Sequence, residues 1–289
     1  MVLYMQIAIQ VNLTRTHAFD VTAQVIRQLD ALGAAVLMER EMLPTFGGFP
    51  VRFLDAEQAW QECDLFIAIG GDGTFIHAAH DAARYDKEIL GLNAGSLGFL
   101  AGLEKTELPL LRHLIDGNYE IDKRMMLCVE HYRDDALQEK FYCLNDAVFA
   151  RGLSMRMCDI TVDCDGKRVN DYFADGLIFA TPTGSTAYSL SAGGPVVDPT
   201  IESVLLTPIC THSLFARSLM FRPDKTFRVE VRNPDLCQPL LSCDGEDSVH
   251  LTAGSVFQIR RAARNCKIIR IKAESFTDIL SRKMVERRV

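Results

Sequence analysis

The stretch Asp64-Leu65-Phe66-Ile67-Ala68-Ile69-Gly70-Gly71-Asp72-Gly73-Thr74-Phe75-Ile76-His77 constrains this chain's fold more than any other. Asp64 to Ile69 is short, apolar and β-favouring, which predicts a buried strand of a parallel sheet. Phe75 to Tyr85 is rich in alanine and carries Phe75, Ile76, Ala79 and Ala83 at helical spacing. The unit is therefore strand, glycine loop, helix. Gly70, Gly71 and Gly73 let the backbone turn sharply and aim amide N–H groups, with Thr74 beside them, at an anion on the helix N-terminus. Asp72 is out of place in a pure anion site, because its charge repels the ligand. A second reading makes Gly-Asp-Gly an ordinary turn and Asp72 the helix N-cap. The loop has neither the Lys-Ser/Thr of a Walker motif nor the G-x-G-x-x-G spacing of a dinucleotide fold. Its residues alone leave turn and phosphate site both open.

Alternation of strand and helix surrounds this unit. Residues 6–11 predict a first strand, and 16–32 an amphipathic helix with Val21, Val25, Ile26 and Leu29 inward and Gly33 as its stop. A second strand is expected over 34–38. A flexible connection follows over 43–50, where two prolines and Gly47-Gly48 fall, then a short helix over 56–63 and a strand over 89–92. This pattern predicts a doubly wound parallel sheet with its ligand crevice at the carboxyl ends of the strands. Asn93 to Leu100, a second glycine-containing loop, should converge on that crevice. Phe99 reads there as core or as a surface for stacking a base.

The 289 residues, 48% hydrophobic, suit two modest cores. A net charge of -7 argues against nucleic acid and anionic membranes as partners, and leaves any phosphate ligand in need of local cations or a metal. Nine cysteines without a C-x-x-C read as reduced thiols of a cytoplasmic protein. No signal peptide or membrane span is expected.

From about Tyr119 the pattern becomes one of short strands joined by turns. Strands are expected over 120–130, 141–149, 159–169, 176–180, 226–231, 239–243 and 256–260, with Asp165-Gly166 as a hairpin signal. Residues 1–120 are thus expected to form an α/β domain carrying the glycine loop, and the tail from Lys267, a strand-like run followed by a short helix over 275–284, could pack on either domain. Residues 121–266 form a mostly antiparallel β domain. Within it, Ala174 to Pro195 is a run of small hydroxylated residues and glycines that reads as a capped turn or as a close approach to a polar ligand.

GGDGTF at 70–75, N-x-G-x-LGF at 93–99, LNDAV at 144–148, DGL at 175–177 and TPTGSTAYSLSAGGP at 181–195 together resemble the NAD kinase family. The glycine loop is shared with lipid and sugar kinases, whereas the 181–195 run is specific. The resemblance implies an α/β amino-terminal domain and a β-rich carboxy-terminal domain, the last segment returning to the first, so that residues 267–289 join 1–120. It implies phosphoryl transfer from ATP or polyphosphate to the adenosine ribose 2′-hydroxyl of NAD, with a divalent metal, Mg²⁺ by expectation, and a homodimer or homotetramer. Carried over by position, Asp72 is the catalytic aspartate, with Gly70, Gly71, Gly73 and Thr74 its phosphate loop. Phe99 lies beside adenine, and Asn145 and Asp146 hold ribose hydroxyls and nucleotide. Asp175, Thr183, Thr186, Ala187, Tyr188 and Ser191 line the rest of the NAD site, partly across a subunit contact.

Three departures stand out. Leu100 replaces a tyrosine of some members, Asp244-Gly245-Glu246 replaces Asp-Gly-Gln, and Phe173 stands where some carry arginine. The rival readings are a lipid or sugar kinase and a non-catalytic NAD(H)-binding regulator. The chemistry suits Asp72, since a ribose hydroxyl is a poor nucleophile until a carboxylate orients it and takes its proton.

Overall fold

The computed structural model describes residues 5–94, 98–100, 102–212 and 216–286, which form two compact units, 1–123 with 266–289 and 124–265. Gly95, Ser96 and Leu97 of the second expected glycine loop, and residues 287–289 of the expected tail, lie outside the described residues.

In the first unit the strands are β1 (Gln6–Val11), β2 (Ala35–Glu39), β3 (Val51–Leu54), β4 (Leu65–Gly70) and β5 (Glu88–Asn93). They pair in parallel in the order β3-β2-β1-β4-β5. Every residue of β4 is buried, as a central strand covered on both faces must be. Alternate residues Ile7, Ile9, Ile67, Ile69, Leu90 and Leu92 pack with Val21, Val25, Ile26 and Leu29 of helix α1 (Ala18–Ala31). The intervening residues are smaller towards the loop, with Ala68, Gly70 and Gly91, and face helix α4 (Asp72–Arg84). Trp60 of helix α3 (Ala56–Glu62) covers Phe66 on that face, ring centres 4.8 Å apart.

The connection expected to be flexible is ordered instead. Pro44 starts helix α2 (Leu43–Phe46), and Phe46 is fully buried, its ring 5.4 Å from Phe19 and 5.9 Å from Phe49. Burying an aromatic cluster outweighs the local turn preference of Pro44 and Gly47-Gly48. It also delivers the chain into β3, a strand the sequence pattern did not reveal.

The C-terminal segment returns to this unit as the resemblance implied. Strand β18 (Ser255–Arg270) sets Lys267 and Ile268 in parallel register with Glu88 and Ile89. Helix α8 (Phe276–Glu286) is capped reciprocally, Ser275 N–H donating to Asp278 Oδ2 and Asp278 N–H to Ser275 Oγ.

The second unit is built of antiparallel strands. Its hairpins are β7 (Glu120–Arg133) with β8 (Ala136–Cys143), and β10 (Cys158–Cys164) with β11 (Lys167–Ala174). Asp165 and Gly166 turn the second hairpin with φ of 48° and 75°, the mirror-image turn that suits strand twist. A six-stranded sheet runs β14 (Leu219–Phe221), β13 (Val204–Ile209), β12 (Gly176–Ala180), β9 (Asp146–Ala150), β16 (Leu240–Cys243), β17 (Glu246–His250). Phe149, Phe179, Phe227 and Phe257 meet edge to face or tilted in the core.

One expectation fails here, and strands β13, β14 and β17 were not expected. The strand expected over 141–149 is two strands, β8 and β9, in different sheets, broken at Leu144-Asn145. Strand β13 went unrecognised because it holds Pro208, which is tolerated since β14 pairs only Val204 to Leu206. Among the described residues no helix is long and apolar enough to cross a membrane.

Truncating Phe46 to alanine should cost about 3–5 kcal/mol of stability, whereas Leu43→Ala, 49% exposed at the same helix, should stay within about 0.5 kcal/mol. Urea unfolding followed by tyrosine and tryptophan fluorescence reads both.

Candidate active site

Helix α4 begins at Asp72, with Gly71 as its N-cap and no side-chain cap bond. Asp72 is therefore not the cap that the turn reading made it. Its carboxylate reaches across to the second loop, where Oδ2 accepts the N–H of Phe99 at 3.1 Å and Oδ1 that of Leu100 at 3.2 Å. The two loops after β4 and β5 do converge, and Asp72 ties them.

Two glycines make this approach feasible for reasons of space, since neither has a left-handed φ. A Cβ on Gly98 would overlap the Asp72 carboxylate, and one on Gly70 would overlap the Thr74 side chain. The first N–H groups of α4 have no acceptor inside the helix and carry its positive end. Arg15 adds a cation there, its Nη2 3.9 Å from where a Gly71 Cβ would stand. A cleft of about 340 Å³ opens beside Gly73 and Thr74, lined also by Gln10, Asn12, Glu39 and His77. Burial, with Glu41 and Asp81 nearby, pushes the Glu39 carboxyl above its usual range. Phe99 is half-buried beside the loop.

In the second unit the break between β8 and β9 presents Asn145 and Asp146. The Asp244 carboxylate, in the turn after β16, accepts three successive backbone N–H groups: Leu144 at 2.6 Å, Asn145 at 2.7 Å and Asp146 at 2.9 Å. Thr181 closes the other side, its N–H donating to Asn145 O at 2.8 Å and its hydroxyl to Leu144 O at 2.5 Å. Gly184 N–H returns to Thr181 Oγ1 at 3.1 Å, and a Cβ on Gly184 would collide with the Asn145 backbone. Asn145, Asp146 and the Thr181–Gly184 turn are thus one packed group. Asp146 is 5% exposed, and burial together with the Asp244 charge pushes its carboxyl up to about 7.

The hydroxyls of the 181–195 run divide between two jobs. Thr181, Ser185 and Ser189 are fully buried and structural; Ser185 Oγ donates to Pro182 O at 2.6 Å and accepts the Val197 N–H at 3.0 Å. Ser189 meets the Thr207 hydroxyl at 3.0 Å. Among these, the capped-turn reading holds. Thr186 and Ala187 are half-buried, and Tyr188 and Ser191 are exposed, around the short helix Tyr188–Ser191. Thr183 Oγ1 accepts a hydrogen bond from Arg124 Nη1 at 3.1 Å, both residues being 7% exposed.

Asp175 is not brought to this group within its own chain. It precedes β12 while Thr181 follows it, about 20 Å of strand away. There it pairs with Arg151, Nε to Oδ1 at 2.7 Å.

Arg124 and Arg15 escaped the sequence reading, and Thr181 and Gly98 entered it only as members of motifs, without roles of their own. Arg124 is one charge before the apolar run Met125–Val129, and nothing in that pattern marks a buried guanidinium. Asp244 stood out in the sequence only within the Asp244-Gly245-Glu246 departure, not as an anchor.

Family models match both parts of the chain, the ATP-NAD kinase N-terminal domain over residues 7–119 and the C-terminal domain over 144–271. The NAD kinase of Caldanaerobacter subterraneus subsp. tengcongensis is 37% identical over 96% of this chain and 97% of its own length. That of Symbiobacterium thermophilum is 38% identical over 96% and 98%. In fold, yeast NADH kinase complexed with NADH superposes with a TM-score of 0.87 at 23% identity, over 96% of this chain and 86% of that one. The Archaeoglobus fulgidus NAD kinase in complex with ATP gives 0.72 at 23% identity, over 96% and 99%. Matches to both domain models set aside a lipid or sugar kinase, which the glycine loop alone left open. With both parts matched and relatives of this identity spanning nearly the whole chain, the protein belongs to the NAD kinase family, phosphotransferases that make NADP.

Proposed function

We propose that Asp72 is the base of this chain's reaction, taking the proton of the adenosine ribose 2′-hydroxyl of NAD while a phosphoryl group arrives from ATP. The observation that carries this is the two-point hold on its carboxylate by the Phe99 and Leu100 amides. A carboxylate so held keeps one orientation and has lone pairs left for the hydroxyl. As the new P–O bond forms, the proton passes to Asp72, and the bond from the transferred phosphorus to the bridging oxygen breaks to release ADP. The Gly70–Thr74 amides at the head of α4 and Arg15 receive the donor's phosphates.

Asp72 is the one acidic side chain between Gly70 and Thr74. Among the described residues no group of three or more His, Cys, Asp or Glu gathers to cage a metal. That donor set suits Mg²⁺ held chiefly by the donor phosphates, with Asp72 as the loop's carboxylate towards it; its chemistry there is to offset charge. Asn145 and Asp146 take the ribose hydroxyls, and Phe99 the adenine face. Thr183, Thr186, Ala187, Tyr188 and Ser191 take the rest of the dinucleotide. The first unit is then the donor domain and the second the dinucleotide and assembly domain. Nine cysteines, with no disulfide among the described residues, fit a reducing cytoplasmic setting.

Asp175 serves a neighbouring subunit's site in a homo-oligomer. Its place at the far end of β12 supports this, as do the apolar side chains exposed there, Leu153 at 99%, Met155 at 83%, Leu236 at 63% and Phe173 at 51%.

Asp72→Asn should lower turnover about 10²- to 10⁴-fold, and cost about 1–3 kcal/mol because its amide NH₂ opposes one of the two backbone donors. Gly98→Ala, which leaves the carboxylate but takes its space, should lower kcat in the same direction. More than a tenth of wild-type turnover in Asp72→Asn would rule out the base.

Arg15→Ala should raise KM for ATP several-fold and leave KM for NAD unchanged, while Asn145→Ala does the reverse. Initial rates with ATP or polyphosphate varied against NAD read both substitutions, and the same assay identifies the donor.

Mixing Asp72→Asn chains with Asp175→Ala chains should restore activity that neither parent has. Failure to complement, with subunit exchange verified by native mass spectrometry, would place Asp175 in its own chain's site.

A further inference from the structure

Asp244 spends its carboxylate on the backbone of the segment that presents Asn145 and Asp146, and its own N–H donates to Asp146 O at 2.9 Å. Three successive N–H groups converging on one carboxylate are possible only where the chain is bent out of strand geometry, and the bend falls where β8 leaves one sheet and β9 enters another. Asp244 itself has φ of 52° and Gly245 79°, so the anchor is built into a tight left-handed turn.

We propose that Asp244 is a positioning residue for the reaction: its carboxylate sets the direction in which Asn145 and Asp146 present their side chains to the dinucleotide. This rests on the reading of Asn145 and Asp146 as NAD-binding residues.

The anchor acts on Asp146 by charge as well as by geometry. Among the described residues, the Asp244 carboxylate and the Cys143 thiol at the end of β8 interact with Asp146, while β12 sets uncharged Ala180 opposite it. Burial and Asp244 hold the Asp146 carboxyl near 7. Around neutral pH a share of molecules therefore offer a ribose hydroxyl a carboxylic acid, a donor as well as an acceptor. Loss of that proton as pH rises through 7 should change KM for NAD and leave KM for ATP level.

The test is Asp244→Asn, chosen because asparagine tolerates a left-handed φ. An amide keeps one acceptor oxygen but removes the charge and opposes one backbone donor. KM for NAD should rise about tenfold or more, with KM for ATP within about twofold. The midpoint of the pH profile of KM for NAD should fall below its wild-type value near 7, towards the ordinary carboxylate range. A role in folding alone would move both KM values together. An unmoved midpoint, or equal rises in both KM values, would overturn the proposal. Asp244→Ser, which retains an acceptor oxygen without charge, should shift the midpoint the same way. Unfolding of both variants by circular dichroism would also overturn it, by making the carboxylate a requirement of folding. Asn145→Ala separates the two levels: if it leaves KM for NAD unchanged, the NAD reading of the segment fails. If it raises KM for NAD while Asp244→Asn does not, only the role of Asp244 fails.

Discussion

A carboxylate that accepts backbone N–H groups from a distant segment is the interaction on which both candidate site regions of this chain depend. Asp72 ties the loop after β4 to the loop after β5, and Asp244 ties the turn after β16 to the break before β9. Such charge-assisted bonds are stronger than neutral ones, and they spare loop amides from going unpaired. They also dispense with secondary structure. Each fixes a stretch that is neither helix nor strand, which is where a polar ligand can reach backbone and side chains together.

Local pattern made much of the fold legible. The all-apolar run of β4, the helical spacing of Phe75, Ile76, Ala79 and Ala83, and the Asp165-Gly166 turn each report a structure that short-range physics decides. Helix α2 and β3 were hidden because Pro44 and Gly47-Gly48 signal a loop, while the burial of Phe46 against Phe19 and Phe49 is a long-range effect. The split of 141–149 was hidden for the same reason. Asn145-Asp146 is a pair that strands disfavour, but the group that bends the chain there lies about a hundred residues later at Asp244.

The candidate site shows a similar division. Asp72, Asn145 and the 181–195 run stand out by residue type, and the family resemblance supplied their roles. What the residues alone could not separate was function from support. Ser185 and Ser189 look as available as Thr186 and Ser191 in the sequence, yet the first two are fully buried and spend their hydroxyls inside the fold. Only burial and partners divide such a run, since serine caps turns and binds ligands with the same oxygen.

The contact of Gly70 with Thr74 has a consequence for how such a chain drifts over time. The threonine side chain fills the volume that a Cβ on residue 70 would need, so the seating of α4 on β4 is set by one side chain and one absence. Residue 70 cannot grow while Thr74 stays. Enlarging residue 70 demands a smaller residue at 74, and with it the loss of a hydroxyl at the head of the helix. An evolutionary path through that exchange passes through an intermediate that is either overpacked or without the threonine hydroxyl. The coupling runs one way: residue 70 is held small by the threonine beside it, so change there must wait on change at 74.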